Sequence, residues 1–399
     1  MQAAPNGYRR RLLAGLSLLA ALVLALAACS GNGSNSGGAT LTQTTPKNSG
    51  SGGATTIASA TPGILLGPQP CPNAVKDPSH WDQIIPTQPN VSKVESVTCG
   101  YLTGTPTLQG LITVRYNGTG AVLDVYVYTN IESPGPTQLF KLLNLYKGDA
   151  RISLRNTVMT AEVDQSSSLN KGKSDAGYTQ DLFREFNTAS FAPIAFPGMY
   201  PDLTRFQAER DQAQVNAGQE PWKLSAAMVA MNFATDPALL GWPANVTATI
   251  VSGGGSSDAE AVVNMKNPAA VGGTITLTMQ RLEGNTNGGI WEIVGVTSKG
   301  LAISTPKSLD NLSSPAAVTG TGSAFEGIIG RLIVLDHTYA NIGQAAVTGV
   351  SGNGSTTFSV NVPFNSTFKT GVEDGIVALY AENNAGGPPS AAVMVKELI

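Results

Sequence analysis

Few residues of this sequence belong to a recognisable catalytic or metal-binding pattern. The sequence holds three cysteines and two histidines, and His80 and His337 lie far apart along it. No Gly-x-Ser-x-Gly sequence indicates a serine nucleophile, and no His-Glu-x-x-His sequence indicates a zinc site. We therefore predict no metal and no cofactor, and the positions of the three cysteines carry most of the chemical information.

The first 28 residues have the order of a secretory signal. Arginines occupy positions 9–11, residues 12–26 are apolar, and two alanines precede Cys29. The apolar run is about 15 residues long, which is short for a membrane-spanning helix of roughly 20 residues. We expect residues 1–28 to be a signal peptide, with an uncleaved anchor or a plain secreted protein as the alternatives.

The sequence Leu26-Ala27-Ala28-Cys29 resembles the cleavage box of bacterial lipoproteins. The resemblance implies that the chain is cut before Cys29 and that Cys29 carries lipid. Two or three acyl chains hold a protein stably at a bilayer, whereas one chain binds only marginally. The resemblance thus places the protein at the cell membrane, lipid-anchored on the extracytoplasmic face, with the bilayer as its partner through acylated Cys29.

The predicted export also bears on whether the other two cysteines form a disulfide. Outside the cytoplasm the surroundings are not reducing, so Cys71 and Cys99 are predicted to form a disulfide. Two buried free thiols are the alternative.

Composition favours a β-rich extracellular protein. Only 13% of the residues are charged, and the chain holds 45 glycines and 24 prolines. The formal net charge is −3, and removal of residues 1–28 takes away three arginines and no acid, which leaves −6. A mildly acidic chain is a poor partner for nucleic acid, so no nucleic acid is predicted to bind.

The tract after Cys29 is predicted to be a linker. Residues 29–62 are rich in Gly, Ser and Thr and show no periodic apolar face, so they are expected to be disordered. A flexible coil of this length spans roughly 30 Å on average. Such a linker would lift the folded part away from the lipid surface.

Residues 63–172 are predicted to form an α+β domain that the disulfide cross-links. Trp81 is expected to anchor its core, and the apolar spacing over 137–147 predicts a short helix. Apolar alternation and turn residues predict strands at 91–97, 111–116, 121–129, 151–154 and 157–163.

Residues 178–300 are predicted to form a second α+β domain. Apolar periodicity predicts helices at 180–186, 202–216 and 222–233. Four strands with Gly-rich connections follow at 246–251, 259–265, 274–282 and 290–297, which predicts an antiparallel meander. The aromatic loop 196–201 is expected to fill the core, with a recognition loop as the alternative.

Residues 303–399 have the length of an immunoglobulin-like sandwich. Strands are predicted at 317–320, 325–329, 332–335, 356–362, 376–380 and 392–395. A set of residues here resembles the bacterial spore germination immunoglobulin-like domain: Ser314-Pro315, Val318, Gly320, Ala324-Phe325-Glu326-Gly327, Asp336, Phe358, Phe364 and Gly375. The family occurs in exported bacterial proteins and implies an all-β sandwich without catalytic residues.

The sequence therefore predicts a multidomain, β-rich protein: two α+β domains followed by an all-β immunoglobulin-like sandwich. The expected function is that of a non-catalytic, lipid-anchored cell-surface protein whose immunoglobulin-like module contacts another protein or an envelope polymer. The first alternative is an exported cell-wall or glycan-acting hydrolase, because a catalytic carboxylate pair leaves no local signature. A lipid-anchored protein that captures solutes is the second alternative.

Overall fold

The computed structural model describes residues 65–165, 181–186, 190–268, 273–284, 288–350, 354–366, 368, 371–383 and 387–399. The predicted signal peptide, Cys29 and the linker lie outside these residues. The protein is β-rich, as predicted, and its sheets are antiparallel. Among the described residues, no helix has the length and apolarity needed to cross a membrane.

The first sheet carries a buried core on each face. Its strands pair in the order β1 (Ser92–Gly100), β2 (Gln109–Tyr116), β3 (Leu123–Thr129) and β4 (Thr137–Leu145). Two short helices, α1 (Asn73–Lys76) and α2 (Pro78–Trp81), pack against β1. Trp81, the last residue of α2, is fully buried, as predicted, and its indole N–H donates to the Val75 carbonyl at 2.8 Å.

The predicted disulfide is present. Cys71 and Cys99 are joined, with their Cα atoms 5.2 Å apart, and Cys99 lies in β1. The Gln69 N–H donates to the Cys99 carbonyl at 2.7 Å beside the bridge. Because the bridge closes a loop with a sequence separation of 28, the chain-entropy model gives a stabilisation of about 3–4 kcal/mol.

The predicted helix over 137–147 is wrong, because this segment is the edge strand β4. Phe140 and Leu142 pack into the core beside Val125 and Val127 of β3. The pairing of β4 with β3 is irregular between Val127 and Tyr128 and again between Leu123 and Val125. Exposed and packed residues nevertheless alternate over 139–143, and apolar residues stand on both faces, so their spacing resembles that of a helix.

The second sheet joins segments from both predicted α+β domains. Its strands pair in the order β5 (Asp149–Ile152), β6 (Val158–Val163), β7 (Asp181–Phe186) and β8 (Pro193–Ile194). The predicted helix over 180–186 is therefore wrong, since β7 is a strand between two others. Leu182, Phe183 and Phe186 are all buried, which means that both faces of β7 are covered.

Two of the predicted helices are confirmed. Helix α3 (Arg205–Asn216) begins at a capping box, in which the Thr204 side chain accepts from the Gln207 N–H and the Gln207 side chain accepts from the Thr204 N–H. The helix predicted over 222–233 consists of a 3₁₀ turn, Pro221–Leu224, and then α4 (Ala226–Thr235).

The predicted meander is also confirmed. It comprises β9 (Thr247–Gly253), β10 (Glu260–Lys266), β11 (Thr274–Gln280) and β12 (Glu292–Ser298). Helix α4 packs on β9 and β10. The loop 196–201 fills the core, as expected, with Phe196, Met199 and Tyr200 buried.

The last seven strands form two layers around an apolar core. One layer holds β13 (Leu301–Thr305), β14 (Ala316–Ser323) and β17 (Ser355–Val362). The other holds β15 (Ile328–Leu335), β16 (Asn341–Thr348), β18 (Asp374–Ala381) and β19 (Ala391–Leu398). The strands predicted at 325–329 and 332–335 are one strand, β15, and β16 was not predicted.

Strand pairing crosses both predicted domain boundaries. β7 pairs with β6, and β12 pairs with β19 through Val296 and Met394. One core contains residues of the meander and of the last strands, such as Met394 and Ile376. The boundaries near 172–178 and 300–303 therefore do not coincide with gaps between sheets.

Candidate functional site

The turn between β14 and β15 is a tight hairpin. Phe325 and Ile328 exchange two backbone hydrogen bonds of 2.9 Å each. The two residues between them have positive φ, 50° at Glu326 and 84° at Gly327. This is the geometry of a two-residue type I′ turn, which favours glycine at its second position. Ala324-Phe325-Glu326-Gly327, which carries part of the family resemblance, thus forms a specific local structure.

Large apolar side chains are exposed around this turn. Phe325 is 57% exposed and Ile328 is 49% exposed. The Gly349 N–H donates to the Gly327 carbonyl at 3.0 Å, which places Val350, 78% exposed, beside them. We call Phe325, Ile328 and Val350 the hairpin tip. Three exposed apolar side chains on two adjoining turns are typical of a contact surface rather than of scattered exposure.

A groove continues from the hairpin tip along β15 and β16. Ile328 lines one end of it, and Arg331 and Glu382 lie 4.0 Å apart along its side. Ala345 and Ala346 of β16 also line the groove. The groove therefore continues the apolar surface of the hairpin tip. It also carries one half-exposed pair of opposite charges.

The hairpin tip lies at the end of β15 that points away from the second sheet. At the opposite end of this strand Leu335 pairs with Ile376 of β18. The segment before β18 contacts β7, where the Arg184 guanidinium lies 5.0 Å from the Phe368 ring centroid. Eight residues of extended strand separate the two ends by roughly 23 Å.

The described chain begins beside the second sheet. Asn156, in the turn between β5 and β6, accepts a hydrogen bond from the Gly67 N–H and donates one to the Leu65 carbonyl. The hairpin tip therefore lies far from the point at which residues 65–67 enter the fold.

A carboxyl pair that the sequence did not indicate lies in the interior. The Asp202 N–H donates to a Glu292 carboxyl oxygen at 3.4 Å, and each of the two side chains also has a buried oxygen without a hydrogen-bond partner among the described residues. Burial, and then the nearby charge of Asp211, raises the pKa of Asp202 to about 7. Burial, and then the charge of Asp202, raises the pKa of Glu292 well above its ordinary value.

Other buried charges surround this pair and are matched by opposite charges. Lys223 forms ion pairs with Asp211 and Glu220, and Arg205 of α3 forms ion pairs with Glu185 and Glu283. These pairs join α3 to the second sheet and to the segment after β11. Their arrangement indicates a structural network between elements, because each cation has its acids at contact distance.

The carboxyl pair is closed to substrate in this structure. Asp202 is 4% exposed and Glu292 is fully buried. A glycoside hydrolase needs its two carboxyl groups on either side of a bond of the bound sugar, which requires an open cleft. The pair therefore lacks the access that the hydrolase alternative demands.

The two histidines lie in different surroundings, and each contacts a neighbouring side chain. His337 is buried and its Nδ1 contacts the carboxylate of Glu373, while His80 packs edge-on against Trp81 at a centroid distance of 5.2 Å. No group of three or more metal-ligating side chains is found within the described ranges.

Of the predicted site residues, Cys71 and Cys99 form a structural bridge, and Cys29 lies outside the described residues. No protein-family model matches the chain, and no curated protein matches it either. Its function is therefore inferred from the N-terminal sequence and from the geometry of the hairpin tip.

Proposed function

We propose that this protein is a non-catalytic, lipid-anchored protein on the extracytoplasmic face of the cell membrane, which binds another protein through the hairpin tip. In this proposal two α+β regions carry a C-terminal immunoglobulin-like domain that resembles the spore germination type. Acylated Cys29 and the linker of residues 29–62 attach the folded part to the bilayer.

The observation that carries the binding role is the exposure of Phe325, Ile328 and Val350 on two adjoining turns at the hairpin tip. Hot spots of protein interfaces consist of apolar anchors that enter a pocket of the partner. Glu326 sits between two of these side chains, so burying the tip in lipid would also bring a carboxylate towards the acyl region, which is costly. A protein with an apolar recess and a basic side chain facing Glu326 is the better match.

The two-layer arrangement of β13–β19 supports the domain assignment. Seven antiparallel strands enclose one apolar core, and Val318 and Phe358 of one layer face Leu332 and Val377 of the other. Such a sandwich presents its loops at its two ends, which is where immunoglobulin-like domains commonly bind.

Site-specific photo-crosslinking in native membranes tests the binding role. A photoreactive residue replaces Ile328 in the full-length protein, and in a matched control it replaces Ser359, which is exposed on β17. We expect a discrete protein adduct from position 328 and none from position 359. Equal labelling from both positions, or adducts only with lipid at position 328, would contradict a protein partner at the tip.

A further inference from the structure

One face of the first sheet displays tyrosines beside an exposed lysine. Asp124, Tyr126 and Tyr128 alternate along β3 with Val125 and Val127, which enter the buried core on the other face. Tyr116 of β2 lies on the tyrosine face, because it contacts Asp124. We call Tyr116, Tyr126 and Tyr128 the tyrosine platform.

Only part of this face is covered. Trp81 of α2 packs against Tyr128, with ring centroids 5.3 Å apart, and Tyr128 is 6% exposed. Tyr116 and Tyr126 are half-buried, so part of each side chain faces solvent. Tyr126 and Tyr128 lie 6.5 Å apart with their ring planes inclined by 32°, so the buried Tyr128 packs beside the partly exposed Tyr126.

Hydrogen bonds hold the platform in place. The Tyr116 hydroxyl donates to Asp124 at 3.0 Å, and the Tyr126 hydroxyl donates to the same carboxylate oxygen at 3.5 Å. The other oxygen of Asp124 accepts from the Asn144 N–H at 2.8 Å. Burial, followed by the charge of Asp124, raises the pKa of Tyr126 to about 12, so its ring stays neutral. A rigid aromatic surface loses little conformational entropy when it binds a ligand.

The charge around the platform selects the kind of ligand. Lys141 of β4 pairs in register with Tyr126 and is exposed. Asp124 lies on the same face, but it is only 4% exposed and accepts hydrogen bonds from three donors, which offset its negative charge. Glu132 lies beyond the end of β3, on the far side of Tyr128 from Asp124. The part of the face beside Tyr126 therefore presents aromatic surface together with one cation.

A ligand that complements this surface has flat C–H faces, hydroxyl groups and a negative charge. The π-faces of aromatic rings carry partial negative charge and attract the C–H groups of a sugar ring. We infer that the tyrosine platform binds an acidic glycan, whose sugar rings stack on Tyr116 and Tyr126 while a carboxylate pairs with Lys141. This site lies in a different sheet from the hairpin tip and does not depend on the function proposed for the tip.

The inference is tested by calorimetric titration of the full-length protein in detergent. The probe is an oligosaccharide of alternating glucuronate and N-acetylglucosamine, and the neutral control is an N-acetylglucosamine oligomer of equal length. We expect saturable binding of the acidic oligosaccharide that is at least tenfold tighter than binding of the neutral one. Added salt is expected to weaken the binding, because one ion pair contributes to it.

Variants separate the roles of the ring and of the charge. We expect Tyr126→Ala to weaken binding at least tenfold and Lys141→Gln to weaken it about fivefold. Tyr101→Ala, which removes a half-buried tyrosine outside the platform, is expected to leave the affinity unchanged. Lys141→Gln changes only an exposed side chain, so its result stands even if Tyr126→Ala disturbs folding.

Three results would overturn the inference: no saturable binding of the acidic oligosaccharide, equal binding of the neutral one, or an affinity that Lys141→Gln does not change.

Discussion

Asp202 and Glu292 are buried acids whose pKa values lie above their ordinary values. Two carboxyl groups that contact each other away from water do not both ionise easily, because desolvation and like charge both favour the protonated form. The same direction holds for Glu283 and Asp374, whose pKa values burial raises to about 7 and about 6. At pH values between the ordinary and the raised pKa values, these buried carboxyl groups therefore hold protons that the unfolded chain releases.

This proton uptake predicts how stability depends on pH. The pKa of Asp202 rises from its ordinary value of 3.8 to about 7 in the folded protein. Its contribution to the free energy of unfolding is complete below the lower value and is lost as the pH rises through the higher one, at up to about 1.4 kcal/mol per pH unit for one proton.

We therefore expect Asp202→Asn to make the free energy of unfolding less dependent on pH between about pH 4 and 8. Urea denaturation at several pH values measures this slope. Glu132→Gln, which changes an exposed carboxylate, serves as the control and should keep the wild-type slope. An unchanged slope in Asp202→Asn would show that Asp202 is already ionised in the folded protein.

The ammonium group of Lys396 is also buried, and its contribution to the stability of the protein can be measured. The ammonium group donates to the carbonyls of Gly198 and Leu203 and pairs with Asp374 at 3.1 Å. Burial lowers its pKa. We expect Lys396→Met to destabilise the protein by about 3–5 kcal/mol, because Asp374 and two carbonyls lose their partner in the interior.

Thermal or urea denaturation measures that loss. The double variant Lys396→Met with Asp374→Asn should recover part of the stability, since it leaves no buried charge unpaired. Equal losses in the single and double variants would contradict the role of the ion pair.

Among the elements, the meander and helices α3 and α4 followed from the sequence, whereas β4 and β7 did not. In β4 Leu139 and Leu143 lie on the exposed face and Phe140 and Leu142 pack against the core, so apolar residues on both faces occur at helical spacings. β7 shows adjacent apolar residues because it is covered on both faces. Local periodicity predicts a strand when apolar and polar residues alternate, and in both strands apolar residues occupy both faces.

The candidate site was only partly visible in the sequence. Ala324-Phe325-Glu326-Gly327 stood out for its family resemblance, but a strand was predicted to start at Phe325. A Glu-Gly pair between two apolar runs is a weak turn signal, since Glu seldom adopts positive φ. The carboxyl pair left no signal at all, because Asp202 and Glu292 are separated by 90 residues and meet only in the folded chain.

The geometry of the hairpin tip yields a prediction for Gly327. Its φ of 84° disfavours any residue with a Cβ atom, although a methyl group at this position would meet open space, with the Gly349 carbonyl oxygen nearest at 3.9 Å. We expect Gly327→Ala to cost about 1 kcal/mol from backbone strain alone. Urea denaturation gives the value, with Gly354→Ala as the control at an uncrowded glycine without positive φ. Equal losses in the two variants would contradict the type I′ turn.

In the molecule as a whole, strand pairing and a shared core connect the regions that the sequence divided into domains. Composition was sufficient to predict a β-rich protein, because low charge and many turn-forming residues are properties of the whole chain and do not depend on local pattern. Pairing of β12 with β19 could not be foreseen, since it joins strands about 100 residues apart and involves a single register pair, Val296 with Met394. Such long-range pairing depends on tertiary packing rather than on local pattern.

The proposed location of the protein at the membrane depends on acylation of Cys29. The chain enters the fold beside the second sheet, while the hairpin tip lies at the far end of β15, so a lipid anchor before the linker would leave the tip free to meet a partner away from the membrane. Without acylation, the net charge of −6 after cleavage gives the chain no electrostatic attraction to anionic lipid.

Intact-mass and peptide mass spectrometry of the native protein tests the proposed lipidation of Cys29. We expect a mature chain that begins at Cys29 and carries a diacylglyceryl group on its thiol, with or without a further acyl group on its amine. A native protein that retains residues 1–28, or one that begins at or near Cys29 without acyl mass, would contradict it.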